Sequence, residues 1–115
     1  MRKGKDIQDR AFRFACDVIE VCDVVAQQGF SARKLAGQLV NSGTSIGANL
    51  EEADGAQSRA DFVSKCNIAL KEARESHYWL RIMRKSNKID DDRLLTECNE
   101  IIAILTTIVR KTRGQ

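Results

Sequence analysis

The chain has 115 residues, with 19 Lys and Arg against 16 Asp and Glu, one histidine, four cysteines and no proline. That length makes one domain, residues 1–115, with room for a core that needs no disulfide or structural metal, and a net charge of +3 is too mild to indicate nucleic acid by itself. No apolar run reaches the roughly 18 residues of a membrane-crossing helix, and no apolar core follows the basic start Met1-Arg2-Lys3-Gly4-Lys5-Asp6, so no secretory leader is expected.

The first predicted helix covers residues 7–28, with Asp6 as its cap and Gly29 as its stop. Its apolar residues, from Ile7 through Phe12, Phe14, Val18 and Ile19 to Val25 and Ala26, span an arc of roughly 220°, whereas a one-sided helix needs only about 100°. So wide an arc predicts that this helix also meets another subunit. The second helix is expected over residues 31–57, with Ser31 as N-cap. At about 100° per residue, Leu35, Leu39, Ile46, Leu50 and Ala53 form an apolar seam. Beside it, Gln38, Ser42, Ser45, Asn49 and Glu52 form a polar one. Gly43 and Gly47 each cost roughly 1 kcal/mol of helix propensity, and glycines kept inside a helix let a neighbouring backbone approach closely.

Ser58-Arg59-Ala60-Asp61 resembles a capping box with Asp in place of Glu, opening a third helix over residues 59–87. Its inward seam is Phe62, Ala69, Ala73, Ser76, Leu80 and Met83, with Cys66 at the margin. A flanking line of Ile68, Glu72, Glu75, Trp79 and Ile82 mixes carboxylates with large apolar groups. Asp90-Asp91-Asp92 suits the positive N-terminal end of a fourth helix over residues 91–111. Four long helices with short connections predict an all-α, antiparallel up-down-up-down four-helix bundle.

With a turn near Gln57-Ser58, helices 2 and 3 should pair Ser42 near Ala73, Ser45 near Leu70 and Asn49 near Cys66. Glu72 or Glu75 is then expected to accept hydrogen bonds from Ser42 or Ser45 and to fix the register of the two helices. The polar seam of Gln38, Ser42, Ser45, Asn49, Glu52, Glu72 and Glu75 is therefore structural. A bundle di-metal site needs a Glu-x-x-His from each of two helices. Glu75 is followed three residues later by Tyr78, so no metal or cofactor is expected. Cys16, Cys22, Cys66 and Cys98 lack the paired spacing of a metal site and predict buried free thiols in a reducing, cytoplasmic compartment. His77 lies mid-helix with nothing marking an oxyanion site, and only two residues separate it from Arg74, closer than in the Arg/His pair of helical nucleases. No catalytic residue is assigned, and the chain is read as non-enzymatic.

Charge placement carries more. Between Ser76 and Ile89 the only charged residues are Arg81, Arg84, Lys85 and Lys88, which the topology sets beside Arg33 and Lys34 at one end of the bundle. The other end gathers Arg2, Lys3 and Lys5 with Arg110, Lys111 and Arg113. Part of this is complementation of helix dipoles; as a functional surface it suits phosphates. Tyr78 and Trp79 lie near the first cluster, with Trp79 read as packing.

Gln38-Leu39 followed by Thr44-Ser45-Ile46-Gly47-Ala48-Asn49-Leu50-Glu51-Glu52-Ala53 resembles the signature of the bacterial four helix bundle protein family. That family includes proteins encoded by intervening sequences in 23S rRNA genes. A second block, Phe62-Val63 with Ile68-Ala69-Leu70-Lys71-Glu72-Ala73-Arg74-Glu75-Ser76 and Tyr78-Trp79-Leu80, resembles the family's next stretch, while Ala53 stands where the family usually has Gly. The resemblance implies a homo-oligomer, a pentameric barrel, and supplies no catalytic residues. The chain is also similar to the accessory protein of diversity-generating retroelements, a basic bundle that engages reverse transcriptase and nucleic acid. The function expected is thus RNA binding through Arg33, Lys34, Arg81, Arg84, Lys85 and Lys88, with a protein-interaction scaffold, for example for a reverse transcriptase, as the alternative.

Overall fold

The computed structural model describes residues 3–114, with side chains from Asp6 to Gly114. Arg2 and the side chains of Lys3 and Lys5, assigned above to the second basic end, lie outside the described residues. Helix α1 spans Lys3–Val25 and tightens into a 3-10 turn at Ala26–Gln28; α2 spans Phe30–Asp54, α3 Arg59–Lys85 and α4 Arg93–Arg113. No strand occurs among the described residues.

The helix ends follow from local chemistry, and several differ from expectation. Asp6 is not a cap: α1 begins three residues earlier and Asp6 sits in its first turn, where a carboxylate complements the dipole. Gly29 does end the first helix, with φ 147° and ψ −168°, a conformation open to glycine almost alone. That residue is itself the N-cap of α2 and no side chain caps the helix, so Ser31 lies inside it. Ser58 does cap α3, accepting from the Asp61 backbone N–H at 3.0 Å. In return the Asp61 carboxylate reaches the Gln57 N–H at 3.4 Å. At the far end of α3 the chain turns through Asn87 at φ 62°. The Lys88 N–H returns to the Met83 carbonyl at 2.8 Å and the Asn87 N–H to that of Arg84 at 3.3 Å, a Schellman ending with Asn in place of Gly. Of the three aspartates, Asp91 serves the start of α4 by accepting from the Arg93 N–H at 3.0 Å, and α4 continues to Arg113 rather than stopping at Lys111.

Cross-helix pairs fix the topology. Gly43 of α2 meets Val18 of α1, and Gly47 meets Ala11. Ser42 meets Ser76 between α2 and α3, Ala73 meets Cys98 between α3 and α4, and Arg10 meets Glu97 between α1 and α4. Each helix therefore runs antiparallel to its neighbours around a molecule 46 × 22 × 20 Å in extent. The glycines do what their position in a helix suggested. A Cβ on Gly43 would lie 3.2 Å from both Val18 methyls, and one on Gly47 would lie 3.5 Å from the Ala11 Cβ and 3.7 Å from its backbone carbon. The core between the helices holds Phe14, Leu39, Ile46, Leu80, Met83, Ile101 and Leu105, all essentially without solvent contact. Cys66 is fully within this core rather than at its margin, whereas Cys16, expected to be buried, is exposed on α1. The wide apolar arc of α1 explains the difference: one helix face fills the core, and Phe12, Cys16 and Ile19, spaced four and three, lie on the part that the other three helices leave uncovered.

Candidate nucleic-acid interface

The polar seam of α2 is graded rather than uniform. Gln38 and Glu52 are exposed, Ser45 and Asn49 are half-buried, and only Ser42 is enclosed. The Ser42 hydroxyl oxygen accepts from Ser76 at 2.8 Å, and the Ser76 oxygen also lies 2.9 Å from the Glu72 backbone carbonyl. Ser45 turns back to the Asn41 carbonyl in its own helix, and the Asn49 amide to that of Ser45. The expectation that Glu72 or Glu75 anchors these serines is therefore corrected: the buried partner is Ser76, a member of the inward seam of α3. Glu75 accepts instead from the Trp79 indole at 3.3 Å, and Glu52 pairs with Lys65 at 2.8 Å. Burial, reinforced by the charge of Glu75, raises the Glu72 carboxyl above its usual range.

Ser42 thus meets α3 three residues beyond the expected Ala73. Helical side chains lean toward their own N-terminus. Across an antiparallel pair, α2 residues therefore reach away from the connecting turn while α3 residues reach back toward it, which moves each partner to a higher number on α3.

The basic end is assembled as the topology required, though not with one sign of charge. The Gln28 amide donates to the Lys88 carbonyl at 2.8 Å, which ties the α1–α2 connection to the end of α3. Arg33, Lys34, Arg81 and Lys85 are exposed; Lys34 sits 5.6 Å from the Phe30 ring centre and Arg81 5.5 Å from that of Tyr78. Arg84, however, is held by Asp92 at 2.8 Å. Lys88 shares a hollow of about 510 Å³ with Glu20, Asp90 and Asp91. The three aspartates that lead into α4 return negative charge to this end, just beyond the stretch from Ser76 to Ile89 in which only cations occur.

At the other end Arg110 and Arg113 of α4 face a groove of about 580 Å³ whose α3 wall carries Lys71 and Arg74. Lys111 lies on a different hollow, with Asp6 and Ile104. Arg59 donates to the Thr112 carbonyl at 2.9 Å, closing this end of the α3–α4 seam. Lys71 and Arg74 gain this setting only from the register of α3 against α4, which the pairing of α2 with α3 does not fix.

Three of the four thiols, Cys22, Cys66 and Cys98, are buried among the helices. Burial pushes the Cys22 thiol up to about 11 and Cys98 up to about 12, and raises Cys66 as well, so these thiols are protonated and poor nucleophiles near neutral pH. The Cys98 thiol is spent on the Ala73 carbonyl at 3.2 Å. His77 is half-buried, and burial, with Arg81 adding to it, lowers its pKa from the ordinary histidine value. Among the described residues no group of three or more His, Cys, Asp or Glu is placed to hold a metal ion, and no helix is long and apolar enough to cross a membrane.

This fold and sequence are shared. A crystal structure at 1.70 Å of a protein of unknown function from the S23 ribosomal protein family of Bacteroides thetaiotaomicron superposes with a TM-score of 0.86. The two are 36% identical over 95% of this chain and 99% of that one. No functionally curated protein matches the chain. The family model for the 23S rRNA-intervening sequence protein matches residues 3–107. The chain belongs to the 23S rRNA-intervening sequence protein family.

Proposed function

We propose that the protein is a non-enzymatic RNA-binding four-helix bundle, working in the cytoplasm as a homo-oligomer without metal or cofactor. The observation that carries this reading is the end of α3. From Ser76 to Lys88, through the end of the helix and the turn after it, the chain bears four cations and no carboxylate, and of these only Arg84 has an ion-pair partner among the described residues. Cations left without acidic partners are the sequence-independent means of holding phosphates. Arg33 and Lys34 extend the surface at the start of α2.

The exposed apolar row of α1 supports self-association. Phe12 is 68% and Ile19 41% exposed, and a large apolar group left in water beside others marks a contact surface. Repetition of the basic end around a ring, such as the pentamer of the family resemblance, would place several copies together and raise the affinity for one RNA. A second reading has an observation of its own. Val24 and Phe30, 64% and 70% exposed near the same end as Lys88, suit a protein-interaction scaffold, a reverse transcriptase being one such partner.

Fluorescence anisotropy on a structured rRNA fragment across a salt series, with mass followed by light scattering, separates the two. Salt-steep binding that the R81E/R84E/K85E variant loses is the expected outcome. An intact oligomer that does not bind RNA at low salt would overturn the reading in favour of the scaffold.

A further inference from the structure

Helix α3 carries a second pattern that the basic end only begins. Lys71, Arg74, Tyr78, Arg81 and Lys85 are spaced three, four, three and four. At about 100° per residue they fall within an arc of about 80°. All five are exposed. The row is about 21 Å long at 1.5 Å per residue. The three acids of α3, Asp61, Glu72 and Glu75, lie outside that arc. At its lower end the row becomes one wall of the groove of about 580 Å³, and α4 supplies Arg110 and Arg113 from the other wall. Asn67 and Thr106 add neutral polar groups, and among the described residues no carboxylate lines the groove. None of Lys71, Arg74, Arg81, Lys85, Arg110 and Arg113 has an ion-pair partner among the described residues.

Like charges on facing helices repel, and the fold has acids elsewhere that could have been set between them. Midway along the row Tyr78 is 49% exposed, edge-on to Trp79 with ring centres 5.2 Å apart, with the Arg81 guanidinium over one face of its ring, which leaves the other face for a base. A cationic track interrupted by an exposed aromatic ring is the arrangement that binds a single strand, with phosphates on the cations and an unpaired base on the ring. A duplex keeps its base faces inside the stack and has none to offer.

We infer that the α3 row and the α3–α4 groove form a track for single-stranded RNA, in which Lys71, Arg74, Arg110 and Arg113 hold the phosphodiester backbone and Tyr78 stacks on a base. This rests on the RNA-binding reading above, but moves its centre from the end of the bundle to its α3–α4 side.

The test is anisotropy of a fluorescein-labelled single-stranded RNA 12-mer, and of the same strand in a duplex, across a salt series. The intact protein runs beside K71Q/R74Q/R110Q/R113Q, Tyr78→Ala, Tyr78→Phe and R81E/R84E/K85E, with helicity and mass checked for each. Each phosphate contact contributes about 0.7 to the slope of log affinity against log salt for a single strand, so the fourfold Gln variant should flatten that slope by about 3. Tyr78→Ala should weaken binding about 5- to 150-fold, and Tyr78→Phe should not. If the protein binds RNA but only R81E/R84E/K85E impairs it, the track is wrong and the RNA-binding reading survives. Equal affinity for the duplex, or a Tyr78→Ala variant that binds like the intact protein, would likewise overturn the track. No binding by the intact protein would overturn both.

Discussion

The seam between α2 and α3 and the seam between α1 and α4 belong to the same bundle and are built on opposite plans. Both helices of the first bury small residues: Ala36, Ser42 and Ala53 on α2, and Ala69, Ala73 and Ser76 on α3. Two hydroxyls meet there at 2.8 Å without solvent. On α4 the buried residues include the large Leu94, Ile101, Leu105 and Val109, and this helix is tied to α1 by polar groups at the surface. Arg10 grips Glu97 with two hydrogen bonds of 2.9 and 2.8 Å, and Arg93 lies 3.9 Å from Asp17. Three hollows, of about 510, 600 and 510 Å³, open along that seam. Small side chains let helices close on each other, whereas long ones hold them at a distance that surface charges then bridge. The α2–α3 seam is therefore expected to bear more of the stability of the fold than the α1–α4 seam.

Core truncation is the bluntest way to break that contrast. Ile46 is wholly buried on α2, and Ile46→Ala should cost about 2–5 kcal/mol, because the deleted methylenes leave a cavity that tightly apposed helices cannot close. Ile104, half-buried beside a hollow on the α1–α4 side, should lose only about 1 kcal/mol on the same change. Urea unfolding of both variants gives the comparison directly, and equal losses would show that the two seams bear the fold alike.

A finer probe is the hydroxyl pair. Ser76→Ala leaves the buried Ser42 hydroxyl without its cross-helix partner and should cost about 1–3 kcal/mol. Removing both hydroxyls should cost less than the two single changes together, the signature of coupling. Ser45→Ala should stay within about 0.5 kcal/mol of the intact protein, since Ser45 bonds only to its own helix. A thermal melt that ranks Ser45→Ala below Ser76→Ala would reverse the assignment.

Much of this was legible in the residues. Helix number, the stop at Gly29, the cap at Ser58 and the close approach at Gly43 and Gly47 all follow from local rules, because each depends on a few adjacent side chains and on backbone sterics. What the sequence hid depends on register between helices. Ser76 reads as one more small core residue until Ser42 is known to lie opposite it. Lys71 and Arg74 read as ordinary surface charge until α4 sets Arg110 and Arg113 across the groove, although the spacing of Lys71, Arg74, Arg81 and Lys85 could have been noticed beforehand. The acidic turn at Asp90–Asp92 shows the reverse error. A charge count confined to one helix omits what the next connection brings back to the same end.

The smallest expected effect tests the α1–α4 seam itself. Arg10 and Glu97 are each about a third exposed, at 30% and 34% of their side-chain surface, so solvent screens their attraction. The bidentate geometry places the pair at the upper part of the exposed range, and the hydrogen bond to Glu97 raises the Arg10 pKa further. Glu97→Gln should therefore cost no more than about 1 kcal/mol in low salt. The same substitution in 1 M salt, where the screening length falls to about 3 Å, should bring the variant close to the intact protein. A loss that stayed large in high salt would mean that Glu97 holds α1 against α4 by packing rather than by charge. The α1–α4 seam would then be closed in its own way rather than bridged by charge.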